Sequence, residues 1–241
     1  NVLNAFKELK KQNNDLKGLI LDLRGNGGGL LTDAVSIVNM FVEKGQNIVS
    51  TKGKIVERNQ TFKTTLNPID LNIPIVVLTD NFSASASEIV TGSLQDLDRA
   101  VIMGQRTFGK GLVQNIIPLT YNAQMKVTVS KYYIPSGRCI QAIDYSHRDE
   151  QGNAINIPDS LKVAFKTKGG RTVYDGFGIE PDIIIESEYA SPIIISIITK
   201  FLAFDFATEF VKQNPTIPSP KDFKITDEIY NQFVSFVKDK D

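Results

Sequence analysis

The sequence predicts a layered α/β domain followed by a helical appendage. A buried strand, a turn of small residues and an amphipathic helix follow one another twice within residues 18–97. A long β-rich stretch comes next, and beyond Glu186 the pattern becomes helical. We therefore place the α/β domain at residues 1–187 and the helical C-terminal appendage at residues 188–241.

The first strand–turn–helix segment is preceded by a short helix. Apolar residues recur at helical spacing in residues 2–9, and residues 18–23 form an apolar run typical of a buried strand. This run leads into the glycine-rich segment 24–29, and the apolar pattern of residues 31–42 is again helical. The glycines are therefore expected at a turn between a strand and a helix.

The second segment repeats this order. Residues 75–78 form a short β-branched run suited to a central strand, and residues 83–97 read as a helix rich in alanine and serine. Between the two segments, residues 47–58 alternate weakly around Lys52 and Gly53, which favours a hairpin.

The rest of the chain is divided by the same signals. Strands are predicted at residues 100–103, 112–119, 125–133 and 183–185, a solvent loop at 145–160, and helices at 193–210 and 228–237. The helices carry no readable motif, and a dimer contact is one possible role for them.

Composition excludes several classes of protein. With 41% hydrophobic and 22% charged residues, the 241-residue chain has an ordinary globular composition. Its 27 basic and 27 acidic side chains balance, which argues against a general nucleic-acid binder. One cysteine, Cys139, cannot form an internal disulfide, and one cysteine with one histidine cannot build the usual zinc site. The most apolar stretch, residues 192–204, is too short to span a bilayer.

The single histidine, His147, lies in the most polar part of the predicted solvent loop. A Ser-His-Asp triad would therefore depend on a side chain that no helix or strand holds in place. A solvated loop histidine is the favoured interpretation.

The glycine-rich segment 24–29 has two interpretations. It matches neither the dinucleotide-binding nor the phosphate-loop pattern, so nucleotide binding is weakly supported. Glycines at the end of a strand can let backbone N–H groups converge on an oxyanion. Taken alone, a tight turn remains the commoner explanation.

Two further segments carry candidate chemistry. The run Ser83–Glu88 lies at a predicted helix start, where a serine can be a nucleophile or simply cap the helix. Lys110 stands between glycines beside apolar residues, where desolvation would let it act as a base, although most lysines are simply solvated. Serine and lysine together form a known nucleophile–base pair, which suits a chain without a usable histidine.

Five blocks, in order, resemble the carboxyl-terminal processing, or tail-specific, serine peptidases. They are LDLRGNGGG at 21–29, SASASE at 83–88, TFGKGLVQ at 107–114, YYIPSGR at 132–138 and GIEPD at 178–182. This resemblance implies a crotonase/ClpP-like layered α/β peptidase core.

The resemblance also implies roles for particular residues. Ser85 matches the nucleophile, Lys110 its general base, and Gln114 a glutamine that orients the lysine. The oxyanion hole corresponds to the backbone N–H groups of Ala86 and of the Gly28–Gly29 pair, and Asp96 to a possible supporting acidic position.

A function follows from these matches as an expectation. The chain would be a serine endopeptidase that cleaves protein substrates near flexible C-terminal tails, needs no metal or organic cofactor, and works in a bacterial cell envelope. Only about 17 residues precede the first strand, too few for the family's PDZ domain, so the chain is expected to be a fragment. The alternatives are a non-catalytic binding or scaffold module on the same fold and a crotonase-like acyl-transfer enzyme.

Overall fold

A parallel sheet of four strands organises the N-terminal part of the chain in the computed structural model, which describes residues 1–186, 191–238 and 240. The strand order across this sheet is β1 (Leu19–Asp22), β4 (Ile75–Thr79), β5 (Val101–Gly104) and β12 (Ile183–Ile184). All neighbouring pairs are parallel. The carboxyl ends of parallel strands meet at one edge, so the segments that follow β1 and β4 lie side by side.

A second, antiparallel sheet adds four more strands. Its order is β3 (Gln60–Lys63), β2 (Asn47–Lys52), β7 (Gln124–Tyr133) and β6 (Leu112–Pro118). The expected hairpin at 47–58 is partly wrong: β2 and β3 do pair, but residues 53–59 connect them through a short helical turn. Gly53 therefore lies outside both strands and does not form a tight two-residue turn.

Three helices pack on these sheets. They are α1 (Val2–Gln12), α2 (Leu31–Asn39) and α3 (Ala86–Asp96). Every residue of α3 is buried, including its polar and charged ones. The core around it contains fully buried residues from several elements, among them Val38, Ile48, Val77, Ile89, Leu94, Ile102 and Ile140.

Residues 145–160 are not the irregular solvent loop that the sequence predicts. Residues 145–156 belong to a largely exposed hairpin of β8 (Ile143–Arg148) and β9 (Ala154–Asn156), and residues 157–160 follow it. A second small hairpin pairs β10 (Ala164–Lys166) with β11 (Thr172–Tyr174). An exposed hairpin needs no alternation of apolar and polar residues, which is why its sequence reads as a loop.

The chain divides into two compact units, Asn1–Glu186 and Ser187–Asp241. The second contains α4 (Pro192–Thr199), α5 (Leu202–Gln213) and α6 (Asp227–Lys238). The helix expected at 193–210 is interrupted, because Phe201 adopts a left-handed conformation with φ of 56°. Phe206 packs against Phe233 and Phe236 of α6. Among the described residues, no helix is long and apolar enough to cross a membrane.

Candidate active site

Ser85 lies at the turn between β4 and α3, where it precedes the first residue of the helix. Its backbone has φ of 58° and ψ of −116°, a conformation that non-glycine residues rarely adopt and that costs about 1–3 kcal/mol. Its side chain is only partly buried. The turn therefore places Ser85 directly before the Ala86 N–H, the first amide of α3, which makes no hydrogen bond among the described residues.

The glycine-rich segment comes directly against Ser85. Gly28 has φ of +103°, and a Cβ atom there would lie 2.6 Å from the Ala84 carbonyl oxygen and 2.9 Å from both Ser85 Cβ and Ala86 N. Only glycine fits this position without moving the nucleophile turn. The structure thus brings the expected oxyanion segment and the expected nucleophile together.

The amide donors are arranged differently from the expectation. The Gly28 N–H donates to Asn26 Oδ1 at 2.9 Å, because the asparagine side chain folds back over its own turn. It is therefore not free to bind an oxyanion in this conformation. Within residues 1–186, the amides of Ala86 and Gly29 make no hydrogen bond.

Glu88 joins the two predicted catalytic residues through their backbones. Its Oε2 accepts the Ser85 N–H at 2.7 Å and the Lys110 N–H at 2.8 Å. Its Oε1 accepts the Gly109 N–H at 2.7 Å and the Thr107 hydroxyl at 2.6 Å. Glu88 is 0% exposed, so burial raises the pKa of its carboxyl, while these four donors act in the opposite direction. One carboxylate thereby fixes the start of α3 against the segment that carries Lys110.

Sequence reasoning assigned no role to Glu88, although a signal was present. A glutamate three residues after a helix-capping serine is the spacing at which a side chain returns to the backbone of the cap. The hydrogen bonds from Glu88 to residues 107–110 join segments that are distant in sequence, and no local sequence pattern predicts them.

Lys110 is exposed, so in this structure it is a solvated lysine, not the desolvated one that the sequence allows. Its neighbours Gly109 and Gly111 have no side chains to cover it and pack instead against Ala142 and Gln141. Lys110 lines a groove of about 720 Å³ together with Phe108 and Leu112. In the described chain, no hydrogen bond joins Lys110 Nζ to Ser85 Oγ; bonds of this kind are often long in unliganded enzymes.

Gln114 lines the same groove as Lys110. It follows an irregularity in the pairing of β6 with β7, and its side-chain amide donates to Thr128 Oγ1 at 3.3 Å. The structure therefore places Gln114 near the lysine without showing a hydrogen bond between them in the part of the chain it describes.

Asp96 does not lie near Ser85, contrary to the expectation that it supports the site. It ends α3, about 16 Å along the helix axis from Ser85 at about 1.5 Å per residue. Its carboxylate is completely buried and lies 2.8 Å from Arg138 Nη2. Burial raises the pKa of Asp96 and lowers that of Arg138, and their mutual attraction opposes both effects. Asp96 therefore belongs to a buried ion pair at the opposite end of the helix.

His147 is held by a strand, contrary to the expectation of a loop residue. It lies in β8, and its Nδ1 is 2.6 Å from Asp144 Oδ2. Its ring remains exposed to solvent, in agreement with the favoured interpretation. Among the residues that the structure describes, no group of three or more His, Cys, Asp or Glu side chains could hold a metal ion.

Two family models match the chain. The model described as peptidase family S41 matches residues 1–146, and that described as the C-terminal helical domain of a probable PDZ-protease matches residues 193–241. No PDZ-domain model matches.

Named relatives agree with these matches. A carboxy-terminal-processing protease of Bartonella bacilliformis is 47% identical over 58% of this chain and 32% of its own length. A chloroplastic C-terminal processing peptidase of Tetradesmus obliquus is 39% identical over 72% of this chain and 36% of its own length. This chain therefore spans about a third of the length of the curated relatives it matches.

Solved structures give the same result. The photosystem II D1 C-terminal processing protease superposes with a TM-score of 0.55 and 31% identity, covering 76% of this chain and 38% of that one.

Proposed function

Because this chain belongs to peptidase family S41, we propose that its N-terminal unit hydrolyses peptide bonds with Ser85 as the nucleophile and Lys110 as the general base. The observation that carries this proposal is the double hydrogen bond of Glu88 Oε2, which holds the backbones of both residues on one carboxylate oxygen. The mixed α/β arrangement of the unit is compatible with a crotonase/ClpP-like peptidase core.

The reaction requires one proton to move twice. Ser85 Oγ attacks the carbonyl carbon of the scissile bond and transfers its proton to the neutral amine of Lys110. The carbon–nitrogen bond then breaks, and the proton passes from Lys110 to the departing amine. Water, deprotonated by the same lysine, hydrolyses the acyl ester and restores Ser85. Only a neutral lysine amine can begin the cycle, because only it can accept the Ser85 proton.

The developing oxyanion needs donors close to Ser85. The Ala86 N–H is one such donor, because it is the first amide of α3 and makes no hydrogen bond among the described residues. The second comes from the Gly28–Gly29 pair: the Gly29 amide makes no hydrogen bond within the described part of the chain, whereas the Gly28 amide would have to leave Asn26. Gln114 would orient Lys110 after giving up its bond to Thr128.

The proposed substrates are polypeptides with flexible C-terminal tails. This substrate class rests on the names of the relatives, which process carboxyl termini. The groove beside Lys110 has apolar side chains that could receive an extended chain, including Phe108, Leu112 and Ile157. A bacterial cell-envelope location and action without a cofactor are part of the same proposal.

The proposal is tested by incubating the chain with an unfolded polypeptide that has an apolar C-terminus and identifying fragments by mass spectrometry. Ser85→Ala and Lys110→Ala should each abolish cleavage. Ser36→Ala and Lys17→Ala, which alter an exposed serine of α2 and an exposed lysine before β1, should not. Full cleavage by both site variants would overturn the proposal.

A further inference from the structure

The carboxylate of Asp80 connects the two loops that meet at the candidate active site. Asp80 follows β4, and both of its carboxylate oxygens lie 3.0 Å from the Gly25 nitrogen in the glycine-rich segment after β1. The same side chain accepts the N–H groups of Phe82 and Ser83, each at 3.0 Å, within the turn that leads to Ser85. It therefore bonds to both sides of the gap between Gly28 and Ser85.

Three neighbouring hydrogen bonds strengthen this connection. The buried Ser83 hydroxyl donates to the Leu23 carbonyl oxygen at 2.8 Å and accepts the Asp80 N–H at 3.0 Å. The Ala84 N–H donates to the Asn26 carbonyl oxygen at 3.0 Å. The ends of β1 and β4 are thus tied together immediately before the glycine-rich segment reaches Ser85.

We propose that Asp80 is a positioning residue that sets the distance between the oxyanion donors and the Ser85 hydroxyl. This inference rests on the proposed peptidase function for its effect on rate. Asp80 touches neither Ser85 nor Gly28 and acts through the loops that carry them. An error of about 1 Å in such a distance can lower a rate about a hundredfold.

A purely local role is the competing explanation, and the chain contains a residue that makes it testable. Asp70 precedes β4 and accepts the N–H groups of Asn72 and Ile73 through Oδ1, each at 2.9 Å. This is the same local turn as that of Asp80. Asp70 also pairs with Lys10 but makes no hydrogen bond to the glycine-rich segment, so it serves as the matched control.

Asp80→Asn and Asp80→Ala should be compared with Asp70→Asn in the whole chain. The asparagine preserves size but replaces one acceptor oxygen with an NH₂ donor, which faces the Gly25 N–H whichever of the two oxygens it replaces. The first readout is amide hydrogen exchange in the folded protein. Exchange at Gly25 should accelerate at least tenfold in either Asp80 variant, and exchange at Ser83 should do so in Asp80→Ala, which has no acceptor. Both rates should remain unchanged in Asp70→Asn.

The second readout is the kinetics of peptide cleavage. The Asp80 variants should lose about tenfold to a hundredfold in kcat with little change in KM, because a displaced donor weakens binding of the transition state and not of the substrate. Asp70→Asn should retain the kcat of the unmutated chain. A role confined to local stability would leave the kcat of folded Asp80→Asn unchanged.

Exchange at Gly25 and Ser83 that stays as slow in both Asp80 variants as in the unmutated chain would overturn the inference. So would an Asp80→Asn kcat equal to that of Asp70→Asn. Absence of cleavage by the unmutated chain would contradict the proposed function instead, and hydrogen exchange would still decide whether Asp80 holds the two loops together.

Discussion

Ser85 keeps an unfavourable backbone conformation because three neighbours hold it. Glu88 bonds its N–H, Gly28 packs against its Cβ, and the Ala84 N–H is fixed by the glycine-rich segment. Each of these contacts constrains a different side of the residue. Strain at such a turn persists only where surrounding contacts determine the conformation, as they do here.

Gly28→Ala is expected to separate the glycine-rich segment from Ser85. The new methyl group would meet two backbone atoms and Ser85 Cβ within 3 Å, at a φ that alanine rarely adopts. We expect peptidase activity to fall at least about a hundredfold, the scale of losing an oxyanion donor. Gly27→Ala is the control, since a Cβ there meets nothing within 4 Å. Equal activities of the two variants in a cleavage assay would contradict this packing argument.

Glu88→Gln is expected to destabilise the chain by about 2–4 kcal/mol, because its NH₂ group would leave the buried donors of Ser85 and Lys110 without an acceptor. The loss should appear in urea unfolding followed by circular dichroism. Glu57→Gln, at an exposed position in the turn after β2, should change stability by less than about 0.5 kcal/mol. A similar small change for Glu88→Gln would show that its hydrogen bonds are dispensable.

For single residues, the sequence identifies which residue types could act but not the groups to which they form hydrogen bonds. Ser85 and Lys110 are singled out by the resemblance of segments 83–88 and 107–114 to a peptidase family, because a small-residue turn alone fits a helix cap equally well. The function of Glu88 and Asp80 depends on bonds to segments distant in sequence, which no local pattern reveals. The exposure of Lys110 and the ion pair of Asp96 likewise depend on what packs nearby in space.

Among the elements, the central strands and helices follow their hydrophobic periodicity. The sequence predicts β4 and α3 closely because β-branched runs and helical spacing are strong signals in buried elements. It fails at the β8–β9 hairpin, which is largely exposed, and at Phe201, which breaks an otherwise apolar helix. Both wrong predictions concern exposed residues, where burial does not impose a periodic pattern of apolar side chains.

The break between α4 and α5 yields a stability prediction. Phe201 is 69% exposed and has a positive φ, so Phe201→Gly should stabilise the C-terminal unit by about 0.5–1 kcal/mol. Phe204 is equally exposed but lies within α5, where glycine should destabilise by about 1 kcal/mol. Thermal unfolding of both variants in the whole chain should therefore give shifts of opposite sign. Shifts of the same sign would contradict the assigned break.

For the whole molecule, the sequence is sufficient to indicate an α/β part followed by a helical part, because composition and periodicity change near residue 187. It does not reveal which contacts join distant segments of the first part. Asp70 makes one such contact, an ion pair that connects the segment before β4 to Lys10 of α1. This ion pair, together with two backbone hydrogen bonds, lowers the pKa of Asp70 to about 2.

The ion pair between Asp70 and Lys10 predicts an acid-dependent contribution to the free energy of unfolding. The pKa of Asp70 falls from an ordinary 3.8 to about 2 in the folded chain, so its contribution is present above pH 3.8 and is lost as the pH falls toward 2. We expect the unmutated chain to lose about 1 kcal/mol more than Asp70→Asn between pH 4 and pH 2, since water screens the partly exposed pair. Urea unfolding at both pH values measures this difference. Parallel losses in the two proteins would refute it.

The central claim, that Ser85 is a nucleophile activated by Lys110, is tested most directly by covalent labelling. The chain would be treated with a phosphonylating probe, digested, and mapped by mass spectrometry. The account predicts a single adduct on Ser85, no adduct in Ser85→Ala, and labelling slowed at least about a hundredfold in Lys110→Ala. Absence of an adduct on Ser85, or labelling at the same rate without Lys110, would contradict it.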